Sequence, residues 1–466
     1  MTDDDRESTE RDRSTPHPHE PRPETHSIPT ATGLIPIPTG SIYVPDEVRE
    51  ASHETAHVHP GDKFSASRRF WYVILLGALT ALGPFTVDLY LPAFPLLKDE
   101  FGASDGAVQL TLTGTMVGFA LGQLIVGPLS DKVGRRVPLL VATTLHVASS
   151  AMAVFAPDLT VLGIARVLMG MGAAGGAVVA MAMVRDLFAG RRLVAMLAQL
   201  ALVTGVAPVI APLIGSALLA VMPWQGIFVS LACYGGLILA SALFALPETR
   251  PKNDRAEAGN TSIRHRYRVV FSDRVFVGVL IIGAMSFSGL FSYLSTSSFL
   301  FQTVFGLTTM QYGMIFAANS VGLIIGNQIA ARLAARFGPQ WVLAWSTAAL
   351  LVAGVAIPVS ASLVDGPWAV IVPLFFFMTA CGFTLPCAQV LALDRHPDAA
   401  GTAASVLGAA NNGVAGLVSP LVAVVAGLTG GISPLSMASI MIACSIVAIA
   451  SLWFVVRPRT LGQLAD

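Results

Sequence analysis

Charge is the scarce ingredient of this chain. Only 12% of its 466 residues are Asp, Glu, Lys or Arg, against 54% apolar residues, and the mean hydropathy is +0.69. So little charge cannot cover the surface of a soluble protein this size, which leaves lipid as the solvent. The formal net charge is zero, so the basic footprint that a nucleic-acid partner requires is missing. Cysteine is sparse as well. Cys233, Cys381, Cys387 and Cys444 fall in apolar stretches without CxxC or other metal-ligand spacing, and they read as small core residues. No metal site or cofactor is expected. No nucleophile–base pair, phosphate loop or metal cluster stands at membrane depth, which argues against an enzyme, and no pore loop argues for a channel.

The first sixty-odd residues are a different polymer. Met1 to Ser67 carries thirteen acidic and six basic residues, many prolines and six of the nine histidines. Nothing there builds a core, so a disordered tail over 1–67 is the expectation. Its opening, Met1-Thr2-Asp3-Asp4-Asp5, is not that of a secretory signal. His17-Pro18-His19 and His53, His57 and His59 read as parts of a solvated tail rather than a metal site.

From Phe70 onward, apolar runs long enough to span a bilayer alternate with short polar turns. The expected spans are 70–97, 107–130, 137–156, 159–183, 193–221, 226–246, 274–301, 309–334, 340–361, 366–392, 400–429 and 434–456. The pattern is six, linker, six: a bundle over 68–246, a polar linker over 247–273, a second bundle over 274–456 and a short tail over 457–466. Odd-numbered connections hold one basic residue, Lys98. Even-numbered ones hold Lys132, Arg135, Arg136, Arg185, Arg191 and Arg192, a cluster in the linker, and Arg332, Arg336 and Arg395. The positive-inside rule then makes the even connections and both termini cytoplasmic, in a cell (inner or plasma) membrane. On that reading the glycosylation pattern Asn260-Thr261-Ser262 is without meaning. The halves also echo each other: Gly127-Pro128-Leu129-Ser130-Asp131-Lys132-Val133-Gly134-Arg135-Arg136 ends the second span, and Ala331 to Pro339 ends the eighth with a similar pattern.

Two charges stand at membrane depth. Asp88, in Thr86-Val87-Asp88-Leu89-Tyr90-Leu91-Pro92, costs about 2.5–3.5 kcal/mol to insert, and desolvation favours its neutral form. That makes it a protonatable switch. Arg166 in the fourth span sits among Gly163, Gly170, Gly172, Gly175 and Gly176, which let helices approach closely. A guanidinium near a titrating acid would alter that acid's proton affinity. Asp131 ends a helix, where the dipole disfavours it, so it needs an external partner such as a basic residue or another helix N-terminus, with Gly401-Thr402 one candidate. Gly127, Asp131, Lys132, Gly134, Arg135 and Arg136 are therefore read as a conformational latch. Pro208, Pro212 and Gly215, with Gly205, mark the fifth span as a hinge or a seal between the halves. Tyr90, Gln123, Gln199, Tyr293, Asn319 and Asn411 are candidate substrate contacts.

These residues resemble the major facilitator superfamily, and within it the Bcr/CflA drug-resistance subgroup of drug/proton antiporters. Gly127 to Arg136 is similar to the superfamily's cytoplasmic signature. Asp88-Leu89-Tyr90-Leu91-Pro92 with Pro95 is similar to the subgroup's first helix, Leu162 to Gly172 to its fourth-helix motif, and Ala207-Pro208 to Gly215 to the antiporter motif of the fifth. Ser216 stands where the common pattern has a second glycine. The resemblance spans about 400 residues and leaves out the N-terminal tail. It implies an all-α membrane protein of twelve helices in two pseudo-symmetric six-helix bundles around a central cavity. It also implies a functional monomer whose partners are lipid, protons and a small-molecule substrate. The expected function is proton-coupled drug efflux, with Asp88 and Arg166 as proton-coupling residues; whether the two are neighbours is left open by the sequence. A metabolite exporter or importer on the same scaffold, and a membrane sensor or scaffold, are the alternatives.

Overall fold

The computed structural model describes residues 64–250, 263–396 and 400–460. Most of the N-terminal tail with its histidine clusters, Asn260-Thr261-Ser262 and the last residues of the chain lie outside these. Twelve helices among the described residues are long and apolar enough to cross a membrane. In chain order the helices are α1 Ala66–Asp88, α2 Phe94–Glu100, α3 Asp105–Val133, α4 Arg136–Val154, α5 Leu159–Leu187, α6 Gly190–Leu219 and α7 Gln225–Ala245. Then follow α8 Ile263–Ser272, α9 Arg274–Ser298, α10 Thr309–Phe337, α11 Pro339–Leu363, α12 Trp368–Asp394, α13 Ala400–Leu428 and α14 Pro434–Ala450. Single π-helical turns extend α9 to Val304 and α14 to Val456.

Helix boundaries follow local chemistry. Ser104 caps α3, Asp158 caps α5, and Thr308 and Ser433 form reciprocal capping boxes with Gln311 and Ser436. Gly134 and Gly338 end α3 and α10 at φ 109° and 82°, a left-handed backbone that only glycine adopts without strain. Three expectations are corrected. The first span is not one helix: α1 stops at Asp88, a 3-10 turn follows over Leu91–Ala93, and α2 completes the crossing. Pro92 causes the break, because it has no N–H to offer the Asp88 carbonyl. Within the linker, where only a polar segment is expected, residues 263–272 form α8, whose Val270 is fully buried against the second bundle. Nor are all the cysteines core residues, for Cys233 is exposed on α7.

The two bundles are built alike. α3 packs on α5 and α4 on α5 in the first, as α10 packs on α12 and α11 on α12 in the second. The seams depend on glycine. A Cβ on Gly118 would stand 2.0 Å from the Val167 carbonyl oxygen, and one on Gly122 2.5 Å from that of Met171. Gly322 and Gly326 repeat this spacing on α10, where a Cβ on Gly326 would meet the Thr379 carbonyl oxygen at 2.2 Å. Small residues let the backbones approach where lipid offers no hydrophobic drive to associate. The bundles meet through α3 against α13 and α6 against α10, two contacts related by the same pseudo-symmetry.

Gly118→Ala should destabilise the first bundle by about 1–3 kcal/mol, the usual cost of overpacking. A Cβ on Gly205 meets nothing within 4 Å, so Gly205→Ala should keep or slightly raise the melting temperature in detergent, alanine being the better helix former, while Gly118→Ala lowers it.

Candidate functional site

A cavity of about 660 Å³ lies between the bundles and opens at the face that carries the basic connections. Gln123, Asp131 and Asp186 line one wall, and Gln389, Thr402 and Ser405 the other. Tyr267 of α8 reaches its rim. The inner end stops near Thr80 and Thr204, whose hydroxyls lie 3.4 Å apart. Beyond that level the two bundles are closed on each other. Pro212 has no N–H for the Pro208 carbonyl, and Ser320 of the other bundle shares its hydroxyl hydrogen between that oxygen at 3.3 Å and the Phe316 carbonyl of its own helix at 2.9 Å. Gly215 lies so close to Leu89 that a Cβ would stand 2.3 Å from its carbonyl oxygen, and Phe94 packs on Phe299 with ring centroids 5.6 Å apart. Pro208 and Pro212 thus face the second bundle at Ser320 and Gly313, whereas the close contact of Gly215 is with Leu89 of its own bundle.

Asp88 sits in this closed zone, eight residues or roughly 12 Å along the helix axis beyond Thr80. It is 4% exposed and makes no ion pair or hydrogen bond among the described residues. Its carboxyl lies within electrostatic range of the Tyr293 and Tyr312 hydroxyls of the second bundle. Tyr293 stacks on Phe316 and accepts a hydrogen bond from Asn319 at 3.2 Å. Tyr312 and Ser297 share another at 3.0 Å.

Arg166 is fully buried, yet it is not paired with Asp88. Its Nη1 donates at 2.7 Å to the carbonyl of Thr86, left free where α1 ends. Its guanidinium lies 4.2 Å over the ring of Tyr90, whose hydroxyl bonds that of Thr111 at 2.9 Å. Nε and Nη2 have no hydrogen-bond partner among the described residues. A cation at a helix C-terminus meets the negative end of the dipole, so Arg166 holds the break in the first span in place.

At the basic face, Arg135 joins the C-terminal ends of α3 and α5. It donates from Nη1 to Asp131 at 2.7 Å and to Ser130 at 2.9 Å, and from Nε to Asp186 at 2.9 Å. Its backbone N–H donates to Glu248 at 2.8 Å, Thr249 donates to Asp186, and Arg250 reaches Asp131 at 3.3 Å. Burial works against the charge of Arg135, but the hydrogen bonds and charges of Asp186 and Asp131 outweigh it and raise its pKa above the usual arginine value. Gly127 lines the cavity, Gly134 makes the turn, Arg136 donates to the Leu243 carbonyl at 2.8 Å, and Lys132 is exposed.

The external partner expected for Asp131 at Gly401-Thr402 is not engaged. Both residues line the facing wall of the open cavity, while Arg135 and Arg250 supply the positive charge. Of the six candidate substrate contacts, Gln123 alone lines this cavity. Tyr90 is held beneath Arg166, and Tyr293 and Asn319 hold each other in the closed zone. Gln199 is exposed on α6 away from the lining, and the Asn411 oxygen lies buried on α13 without a hydrogen-bond partner among the described residues. Sequence reasoning missed Asp186, Glu248 and Arg250. Their signal was a cluster of charged residues at the ends of the fourth and sixth spans.

The sequence profile described as Major Facilitator Superfamily matches residues 74–420. The chain belongs to that superfamily. It is 33% identical over 365 residues to the protein of Bacillus subtilis named uncharacterized MFS-type transporter YdgK, covering 77% of this chain and 90% of that one. A bicyclomycin resistance protein homolog of Haemophilus influenzae is 28% identical, covering 76% and 89%. Multidrug resistance protein D of Escherichia coli is also 28% identical, covering 75% and 87%. Among solved structures, a bacterial homologue of the human lysosomal transporter Spinster, inward-facing and unoccupied, superposes with a TM-score of 0.61. It is 14% identical and covers 85% of this chain and 96% of that one, a likeness of fold. As a superfamily member the chain is a multi-pass membrane transporter.

Arg135→Gln and Asp186→Asn should each lower the melting temperature in detergent. Together they should cost less than the sum, with a coupling of about 0.5–3 kcal/mol. Additive losses would mean that the two side chains act independently.

Proposed function

We propose that this chain exports small drug-like molecules in exchange for protons, as a monomeric transporter of the Bcr/CflA type. Its basic face and both termini would lie in the cytoplasm of a cell that carries it in the inner or plasma membrane. The observation that carries this reading is Asp88: a carboxyl sealed between the bundles without a cation to hold its charge. Its environment favours exchange of a proton over permanent ionisation. Arg166, committed to Thr86 and Tyr90, positions the segment and leaves the carboxyl free. The resistance named in two relatives and the basic loops at the cavity mouth support the direction and the cargo.

In the cycle, substrate enters the cavity from the cytoplasmic side, with Gln123 on its wall. The bundles rock, the seal between α6 and α10 parts, and Asp131 turns from Arg250 toward the α13 terminus at Gly401-Thr402 to latch the cytoplasmic side. Substrate then leaves to the outside, Asp88 takes a proton there, and the return swing delivers it inward. Each proton moving down the membrane potential supplies about 2.3 kcal/mol per 100 mV.

Expression in a pump-deficient bacterium, challenged with an antibiotic panel that begins with bicyclomycin, tests the reading. Tolerance should rise several-fold for at least one compound and vanish when a protonophore is added. Asp88→Asn should abolish the gain while reaching the membrane at wild-type level. Full tolerance in that variant would remove the role given to Asp88, and altered metabolite pools without any change in tolerance would point to an endogenous cargo.

A further inference from the structure

The closed mouth opposite the basic face holds a chain of hydrogen bonds that the sealing contacts above do not require. The π-helical turn at Phe299–Val304 faces Gln302 toward the first bundle, where its Nε2 donates to the Pro92 carbonyl at 3.2 Å. The same nitrogen donates to Ser298 Oγ at 2.8 Å, which fixes the rotamer. Gln302 Oε1 accepts from Thr309 Oγ1 at 3.0 Å, and the carbonyl of Thr309 accepts from Ser216 Oγ at 3.0 Å. The chain therefore starts in the first bundle at Pro92, crosses the second through Gln302 and Thr309, and returns to the first at Ser216 on α6.

Both anchors are informative. Pro92 is one helical turn beyond Asp88, in the short segment that ends the first span, so this bond ties the carboxyl's own segment to the opposite bundle. Ser216 stands where the fifth-helix pattern has glycine, which has no hydroxyl to offer. Gly313 on α10 makes room for it, since a Cβ there would stand 2.6 Å from Ser216 Oγ. The extra hydroxyl is thus met by a matching absence of side chain across the interface.

We infer that Ser216, Thr309 and Gln302 form a strap that holds this mouth shut, with Gln302 and Ser216 as positioning residues for the opening step. The inference rests on the alternating-access reading but on neither the cargo nor the driving ion. Movement of the segment after Asp88 draws on the Gln302–Pro92 bond, so release of the strap and a change at the carboxyl are mechanically linked. One net hydrogen bond shifts an equilibrium by about two- to tenfold, which sets the size of the effect.

The test uses the full chain in lipid nanodiscs, with the four native cysteines replaced and nitroxide labels at Val221 and Asp365. These positions lie at the strap's end of the molecule, one on each bundle, and pulsed electron resonance reads the distance between them. Ser216→Gly and Gln302→Leu should each raise the long-distance, mouth-open population about two- to tenfold over the parent. Ser241→Ala, which deletes a hydroxyl bonded only within α7, should not. Should Ser216→Gly misfold, Ser216→Ala removes the same bond at lower cost to the helix. Unchanged distance distributions in the serine and glutamine variants would overturn the strap. The readout needs neither substrate nor gradient, so its failure is separable from failure of the export reading: tolerance lost in Asp88→Asn with unaltered distances here would sink the strap alone.

Discussion

A backbone carbonyl set free inside an apolar medium must find a donor, and in this protein the donors come from other helices. Proline is at the root of both vacancies. Pro92 ends α1 early, which leaves carbonyls of its last turn without intrahelical donors, and Arg166 of α5 takes that of Thr86. Pro212 frees the carbonyl of Pro208, and Ser320 of the second bundle takes it. In water such groups would be solvated at little cost, whereas in lipid each unsatisfied one costs several kcal/mol. The break in the first span and the proline pair in the fifth are therefore places where one helix is bound to another by polar contact.

Satisfying Thr86 with Arg166 has a consequence for the neighbouring acid. The guanidinium is held by a carbonyl on one side and the Tyr90 ring on the other, so it does not neutralise Asp88. The carboxyl is left at the junction of the bundles with tyrosine hydroxyls for company. A paired carboxylate there would stay ionised and inert. On the proposed reading, an unpaired one exchanges its proton with whichever side of the membrane it faces, under the control of the surfaces that meet at the break in the first span.

Much of this was legible in the residues. Apolar runs between short polar turns marked the twelve spans, and the repeat of Leu129 to Gly134 at Leu333 to Gly338 anticipated bundles with matching seams. Gly134 and Gly338 were visible as matching stops, and both adopt positive φ. The break after Asp88 was within reach through Pro92, but hydropathy alone runs straight across it. Less accessible were contacts between residues far apart in the chain. Asp131 called for a cation, and nothing local to it reveals that Arg250, 119 residues on, supplies one. Tyr90, Tyr293 and Asn319 are polar residues of the first, seventh and eighth spans, yet each already has a partner in the closed zone. Whether a polar group awaits a ligand or a neighbour depends on the packing of several helices, which one-dimensional pattern does not carry.

The most direct test of the account is a count of protons. Purified protein in weakly buffered detergent is mixed with a compound to which the chain confers tolerance, and a pH-sensitive dye follows the protons released. The account predicts release from the wild type in proportion to binding, and none from Asp88→Asn although that variant still binds the compound. Equal release from both would place the exchanging proton elsewhere and contradict the role of the unpaired carboxyl.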